Sequence, residues 1–233
     1  MGRRELAYRQ KDNPKEKKAK QFFNRFKGRI MVGAVGLALI GTAGCSGCSK
    51  PMKEYMQKID EQKVSPEEQK KLNEQLIEAV NGGNADKVKK LLEKGASANA
   101  KDGYETVLCR ACDRKQDEIV DILLKNGADI DSRTDLGATP LVLASVHKEN
   151  VKILELLIDA GAEIDAKDDF GRTALIYAAG FGDAEMVKFL LDKGADPDIA
   201  GQGLLAENKQ SALDMAVYLE RTENIEVLKA HKP

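Results

Sequence analysis

Tryptophan is absent from this chain, and aromatics of every kind make up only 5% of its 233 residues. A core built around large rings is thereby excluded. What remains suits stacked helices packed with Leu, Ile, Val and Ala. Histidine is almost missing too. His231 belongs to the C-terminus and His147 reads as a surface residue in a turn between helices, so no histidine pair stands ready for metal or acid–base work. Of the four cysteines, Cys109 and Cys112 have C-x-x-C spacing. They fall about one turn apart on one helix, without the partners a zinc or redox site needs, and read as small buried core residues. No glycine-rich loop follows a strand to cradle phosphate. The sequence therefore offers no catalytic residues, no metal ligands and no cofactor site, and no small-molecule substrate is expected.

Long apolar runs are missing as well. The most apolar stretch, Ile30–Ala43, is 14 residues long, short of the ~20 that span a bilayer as a helix. The near-neutral total of −1 conceals a division: residues 1–44 carry 11 Lys+Arg against 3 Asp+Glu, and the remainder carries 26 against 35. An acidic body argues against nucleic-acid binding. A basic leader, a short apolar core and then small residues is the layout of a secretory signal. Gly41-Thr42-Ala43-Gly44-Cys45 resembles a bacterial lipobox, with Thr42 where that family more often has Leu. The resemblance implies a signal peptide over 1–44, lipid attachment at Cys45, and a lipid-anchored tether over 45–71. It also implies a location on the cell envelope facing the periplasm or exterior. The alternatives are an uncleaved signal anchor and a cytosolic protein with an incidental apolar run. Within the tether, Met52, Tyr55, Met56 and Ile59 share one face at helical spacing. Ser65-Pro66-Glu67-Glu68 then marks a helix start, with Ser65 as cap and Glu68 placed to complete a capping box.

From residue 72 onward the chain repeats. The clearest unit is FGRTALIYAAGFGDAEMVKFLLDKGADPD, Phe170–Asp198: a Thr that can cap, two short apolar-periodic runs, and a closing Gly. Thr106, Thr139 and Thr173 recur at intervals of 33 and 34 residues, and Gly95, Gly127, Gly161 and Gly194 at 32, 34 and 33. Small residues Ala111, Ala144, Ala178 and Ala216 occupy equivalent places, where helices can approach closely. The first unit (from Leu72) and the fifth (Ser211–Lys229) depart from the pattern as capping units do. The third carries one extra residue near His147–Asn150. The loop before Thr106 is one residue short, and Ile199–Gln210 is longer by about four. The span 72–231 closely resembles the ankyrin-repeat family, which implies an all-α solenoid of about five helix-turn-helix repeats with β-hairpin-like finger loops.

Ankyrin arrays are binding modules, and the resemblance implies a protein partner held by the fingers and the inner helices. On this sequence those positions are Tyr104, Leu136, Phe170 and Arg172 in the fingers, and Asp113, Arg114, Val146, His147 and Phe181 at the ends of the first helices. Tyr104, Leu136, Phe170 and Phe181 are apolar where solvent favours polar side chains, and Arg114 and Arg172 are the expected polar anchors. Phe170, Arg172 and Phe181 show no evident folding duty. Local packing of Phe170 and Phe181 on adjacent loops is the competing reading. The leading function is an envelope-anchored, non-catalytic scaffold. A sharper version is a toxin-neutralising immunity lipoprotein whose acidic body meets a basic toxin. The others are a secreted host-directed effector and a redox helper using Cys109 and Cys112.

Overall fold

Four of the five repeats start where a small hydroxyl side chain closes off the first turn of a helix. In the computed structural model, residues 65–103, 105–202 and 209–231 are described. Cys45, the tether face at Met52–Ile59, Tyr104 and the Leu204-Leu205 pair lie outside them. The elements in chain order are α1 (Pro66–Asn81), α2 (Ala85–Glu93), β1 (Lys101–Asp102), β2 (Glu105–Thr106), α3 (Val107–Asp113) and α4 (Asp117–Lys125). They continue with α5 (Pro140–Ser145), α6 (Val151–Asp159), α7 (Ala174–Gly180), α8 (Ala184–Asp192), β3 (Ala200–Gln202), β4 (Lys209–Ser211), α9 (Ala212–Tyr218) and α10 (Thr222–Ala230).

The capping expectations hold with two exceptions. Ser65, Thr106 and Thr139 accept the N–H groups of Glu68, Cys109 and Val142 at 3.2, 3.2 and 3.3 Å, each satisfying an amide with no partner inside the helix. The return bond from Glu68 is not made. The full capping box belongs to α9, where Ser211 accepts from Asp214 N–H and the Asp214 carboxylate accepts from Ser211 N–H at 2.9 Å. At Thr173 the backbone is extended as a cap requires, but the side chain caps nothing and its buried hydroxyl has no partner. The helix stands because its apolar face is fully packed, so the cap's contribution of about 1 kcal/mol is dispensable there.

The second helices of the first four repeats each close on a glycine. Gly95, Gly127, Gly161 and Gly194 all have φ between 80° and 102°, a conformation that costs other residues strain. The turn feeds the following Ala back onto the helix: Ala96, Ala128, Ala162 and Ala195 donate to the carbonyls of Leu91, Leu123, Leu157 and Leu190, each at 3.0 Å.

The helices form two layers. The first helices α1, α3, α5, α7 and α9 contact in sequence, the second helices α2, α4, α6, α8 and α10 do the same, and each repeat's own pair packs together. Ala111, Ala144, Ala178 and Ala216 are completely buried along the first layer, and Leu123, Leu157 and Leu190 are completely buried in the second. Side chains also reach across repeats to satisfy helix-end carbonyls. Gln116 Nε2 donates to Val80 O at 2.8 Å, and Arg221 Nη2 to Gly182 O at 2.8 Å. Asn224, itself buried, donates to Ala179 O at 2.9 Å.

The acidic turns have a structural task beyond solvation. Asp131 and Asp165 each accept the amide of the next repeat's turn, Glu163 at 3.2 Å and Asp196 at 3.1 Å, and Asn99 does the same for Asp129 at 2.7 Å. The extra residue of the third repeat falls between α5 and α6, where Glu149 takes φ 61°. The fifth repeat leaves its stacking side open. Val217 is 54% exposed, although the equivalent Cys112, Ser145 and Ala179 are completely buried under the next repeat.

Candidate partner-binding surface

The second, third and fourth fingers are linked tip to tip. In the second finger, Thr134 N–H bonds Ala138 O and Gly137 N–H bonds Thr134 O. The third finger repeats this with Asp168 to Arg172 and Gly171 to Asp168. Neighbouring tips join through backbone bonds: Asp169 N–H to Leu136 O at 3.1 Å, then Gln202 N–H to Phe170 O at 2.7 Å. Arg133 Nη1 bridges the second and third fingers as well, donating to Gly137 O at 2.9 Å and Lys167 O at 2.7 Å. Gly137 is required for this fit. Its φ is 71°, and a Cβ there would meet Asp169 Oδ1 at 2.3 Å.

This row holds apolar side chains out to solvent at matching positions. Leu136 is 60% exposed, and Phe170, one finger later, is 37% exposed. Phe181, at the end of α7, is also 37% exposed. Phe170 and Phe181 are connected through Arg172 and Tyr177, and Leu136 joins the third finger through its backbone carbonyl. The Arg172 guanidinium lies 5.3 Å from the Phe170 ring centre and 5.8 Å from that of Tyr177, within cation–π range. Tyr177 and Phe181 are 6.4 Å apart, centre to centre.

Two of these residues have folding duties that the sequence did not reveal. Arg172 was expected to be a polar anchor without such a duty. Instead it is half-buried and donates through Nε to Gln202 O at 2.7 Å, tying the third finger to the fourth. Asp168 is only 6% exposed. It accepts from Phe170 N–H at 3.0 Å, Arg172 N–H at 2.8 Å and the Tyr177 hydroxyl at 2.7 Å. The carboxylate thus fastens the finger carrying Phe170 to the inner helix carrying Tyr177. Burial, reinforced by the bond to Asp168, pushes the Tyr177 phenol above its usual range.

The N-terminal half of the surface is polar. Arg110 Nη1 is 2.8 Å from Asp102 Oδ2, and its Nη2 is 3.3 Å from Glu105 Oε2. Asp113 and His147 meet across repeats at 3.1 Å. Arg114 is exposed with Nη1 3.4 Å from Asn81 O, and Val146 is half-buried. The inner row Arg110, Leu143 and Tyr177, each four residues past the Thr at the N-cap position, is half-buried on this face. Sequence reading passed over it, although that constant offset was available as a signal. Cys109 and Cys112 are completely buried. Desolvation raises both thiols, Cys112 strongly, which disfavours the reactive thiolate.

A family model for ankyrin repeats (3 copies) matches residues 76–168 and 150–233. The 2-5A-dependent ribonuclease of Homo sapiens is 41% identical over 76 residues, which is 32% of this chain and 10% of that protein. Ankyrin repeat domain-containing protein 40 of Homo sapiens is 39% identical over 80 residues, 34% of this chain and 22% of that protein. An ankyrin repeat protein of Rickettsia bellii is 39% identical over 74 residues, 29% of this chain and 44% of that protein. The aligned part thus spans from a tenth to less than half of these relatives. Repeats in phase, two stacked helical layers and a family match running through residues 76–233 lead to one conclusion: the chain belongs to the ankyrin-repeat family.

Proposed function

We propose that this chain is a non-catalytic partner-binding module, held at a bacterial cell envelope through a lipid on Cys45. Ankyrin repeats mediate protein–protein interaction. Here the partner protein docks on the finger tips and inner-helix ends of the second to fourth repeats. The observation that carries the reading is that Leu136 and Phe170 stand exposed in register on linked fingers, beside the Tyr177 and Phe181 rings of the adjoining inner helix. Aromatic side chains held rigidly at a surface lose little entropy on binding, which is why they dominate interface energetics.

The test is in-cell crosslinking followed by identification of what is bound, with a Phe170→Ala/Phe181→Ala variant as control. Loss of the crosslinked partner with an unchanged melting temperature supports the surface. Partner retention, or loss of stability instead, assigns these rings to local packing. Anchoring is tested by labelled-palmitate incorporation, expected in the parent and absent in Cys45→Ser. Incorporation that survives the substitution, or never occurs, refutes the anchor.

A further inference from the structure

The apolar half of the surface carries a charge pattern that specifies its occupant. Each exposed apolar tip residue is preceded by an aspartate: Asp135-Leu136 in the second finger and Asp169-Phe170 in the third. Both carboxylates are exposed, and among the described residues neither takes part in an ion pair. The two arginines of this half are already committed, and Lys167 and Lys209 are exposed on the third and fourth fingers. Arg133 is bound to Gly137 O and Lys167 O. Arg172 is bound to Gln202 O, stacked on Phe170, and has its own backbone amide on the Asp168 carboxylate. The Asp169 N–H to Leu136 O bond fixes the two Asp–apolar pairs in register. The tip is therefore a rigid double step of acid and apolar group.

The backbone narrows the form of the occupant. A strand adding to a sheet edge needs open carbonyls, but Leu136 O and Phe170 O already accept from Asp169 and Gln202. At these two residues the backbone acceptors are taken, which favours recognition through side chains. Packed helices lie about 8–10 Å apart and a helix rises about 1.5 Å per residue, so equivalent points on adjacent repeats match residues about five to seven apart on a helix laid across them, and a spacing of about seven, two turns, keeps both on one face.

We infer that this surface receives an amphipathic helix of a partner protein, presenting apolar side chains at i and i+7 with Lys or Arg beside them to meet Asp135 and Asp169. This rests on the surface assigned under the proposed function and adds the chemistry of what binds there. Exposed Asp–Lys contacts contribute modestly each, and their main effects are on selection and association rate.

The test is selection, against the full-length protein, from a displayed library of helical peptides with fixed heptad-spaced Leu and randomised flanking positions. Enrichment of Lys and Arg at the flanks is expected. The winning peptide should bind Asp135→Asn/Asp169→Asn about fivefold more weakly than the parent, with a shallower salt dependence. Neutral or acidic flanks, no enrichment at all, or affinity unchanged in the double Asn variant would overturn the inference. The Phe170→Ala/Phe181→Ala variant separates the two claims. If it abolishes binding of a winner with neutral or acidic flanks, the surface stands and only its charge selection falls. If a winner binds that variant undiminished, the surface itself is wrong.

Discussion

Phe170 and Phe181 were legible from sequence because a large ring in a polar, glycine-flanked loop has no place to hide. Tyr177 was not, because it sits inside ALIYAAG, where an aromatic reads as one more apolar helix position. What distinguishes it is the hydroxyl, 2.7 Å from a buried carboxylate, and no periodicity reports that. Removing the hydroxyl in Tyr177→Phe leaves Asp168 with two of its three donors. The expected loss is about 1–2 kcal/mol in urea-induced unfolding. The phenol supplies a second readout. Its folded pKa is raised above the unfolded value near 10, so its share of stability is complete below that value and is lost as pH rises through the folded pKa. In the alkaline absorbance titration of the native protein, one tyrosine should ionise later than in the unfolded chain. That late step should vanish in Tyr177→Phe; if it persists, another tyrosine is responsible.

At the scale of the element, the helix boundaries were legible because caps and closing glycines repeat every 33 or so residues, and each has one local physical cause. The finger connections were not legible. They are backbone-to-backbone bonds such as Asp169 to Leu136 and Gln202 to Phe170, which any pair of residues can make. The cap at Thr173 failed for a related reason: sequence identifies a hydroxyl at the right place but not its rotamer. The difference between equivalent threonines is measurable. Thr139→Val removes a cap bond at 3.3 Å and should cost about 1 kcal/mol. Thr173→Val removes a buried hydroxyl without a partner and should be neutral or stabilising. Equal losses at both sites in urea denaturation would show that Thr173 caps after all.

For the whole molecule, stability is a sum of repeat terms and interface terms, and the second repeat reports on both. Its first helix, α3, is covered by α1 on one side and α5 on the other, and it carries Cys109 and Cys112. The sequence reading of these thiols as core groups depended on their falling on a helix at a place equivalent repeats give to small residues. The structure adds the neighbour that seals one of them, Ser132, whose Oγ lies 3.6 Å from Cys109 Sγ. Burial raises both thiol pKa values, so their thiolate fraction at neutral pH is depressed as well as sheltered. Neither should react with an aromatic disulfide reagent in the native protein. Their labelling rate should rise with urea in step with the loss of helical circular dichroism, because exposing α3 requires both neighbouring interfaces to open. A Cys45→Ser/Cys48→Ser background removes the N-terminal thiols from the measurement. Rapid native labelling in that background would mean that the second repeat opens by itself. The array would then not be coupled through this repeat, and a redox role for Cys109 and Cys112 would regain standing.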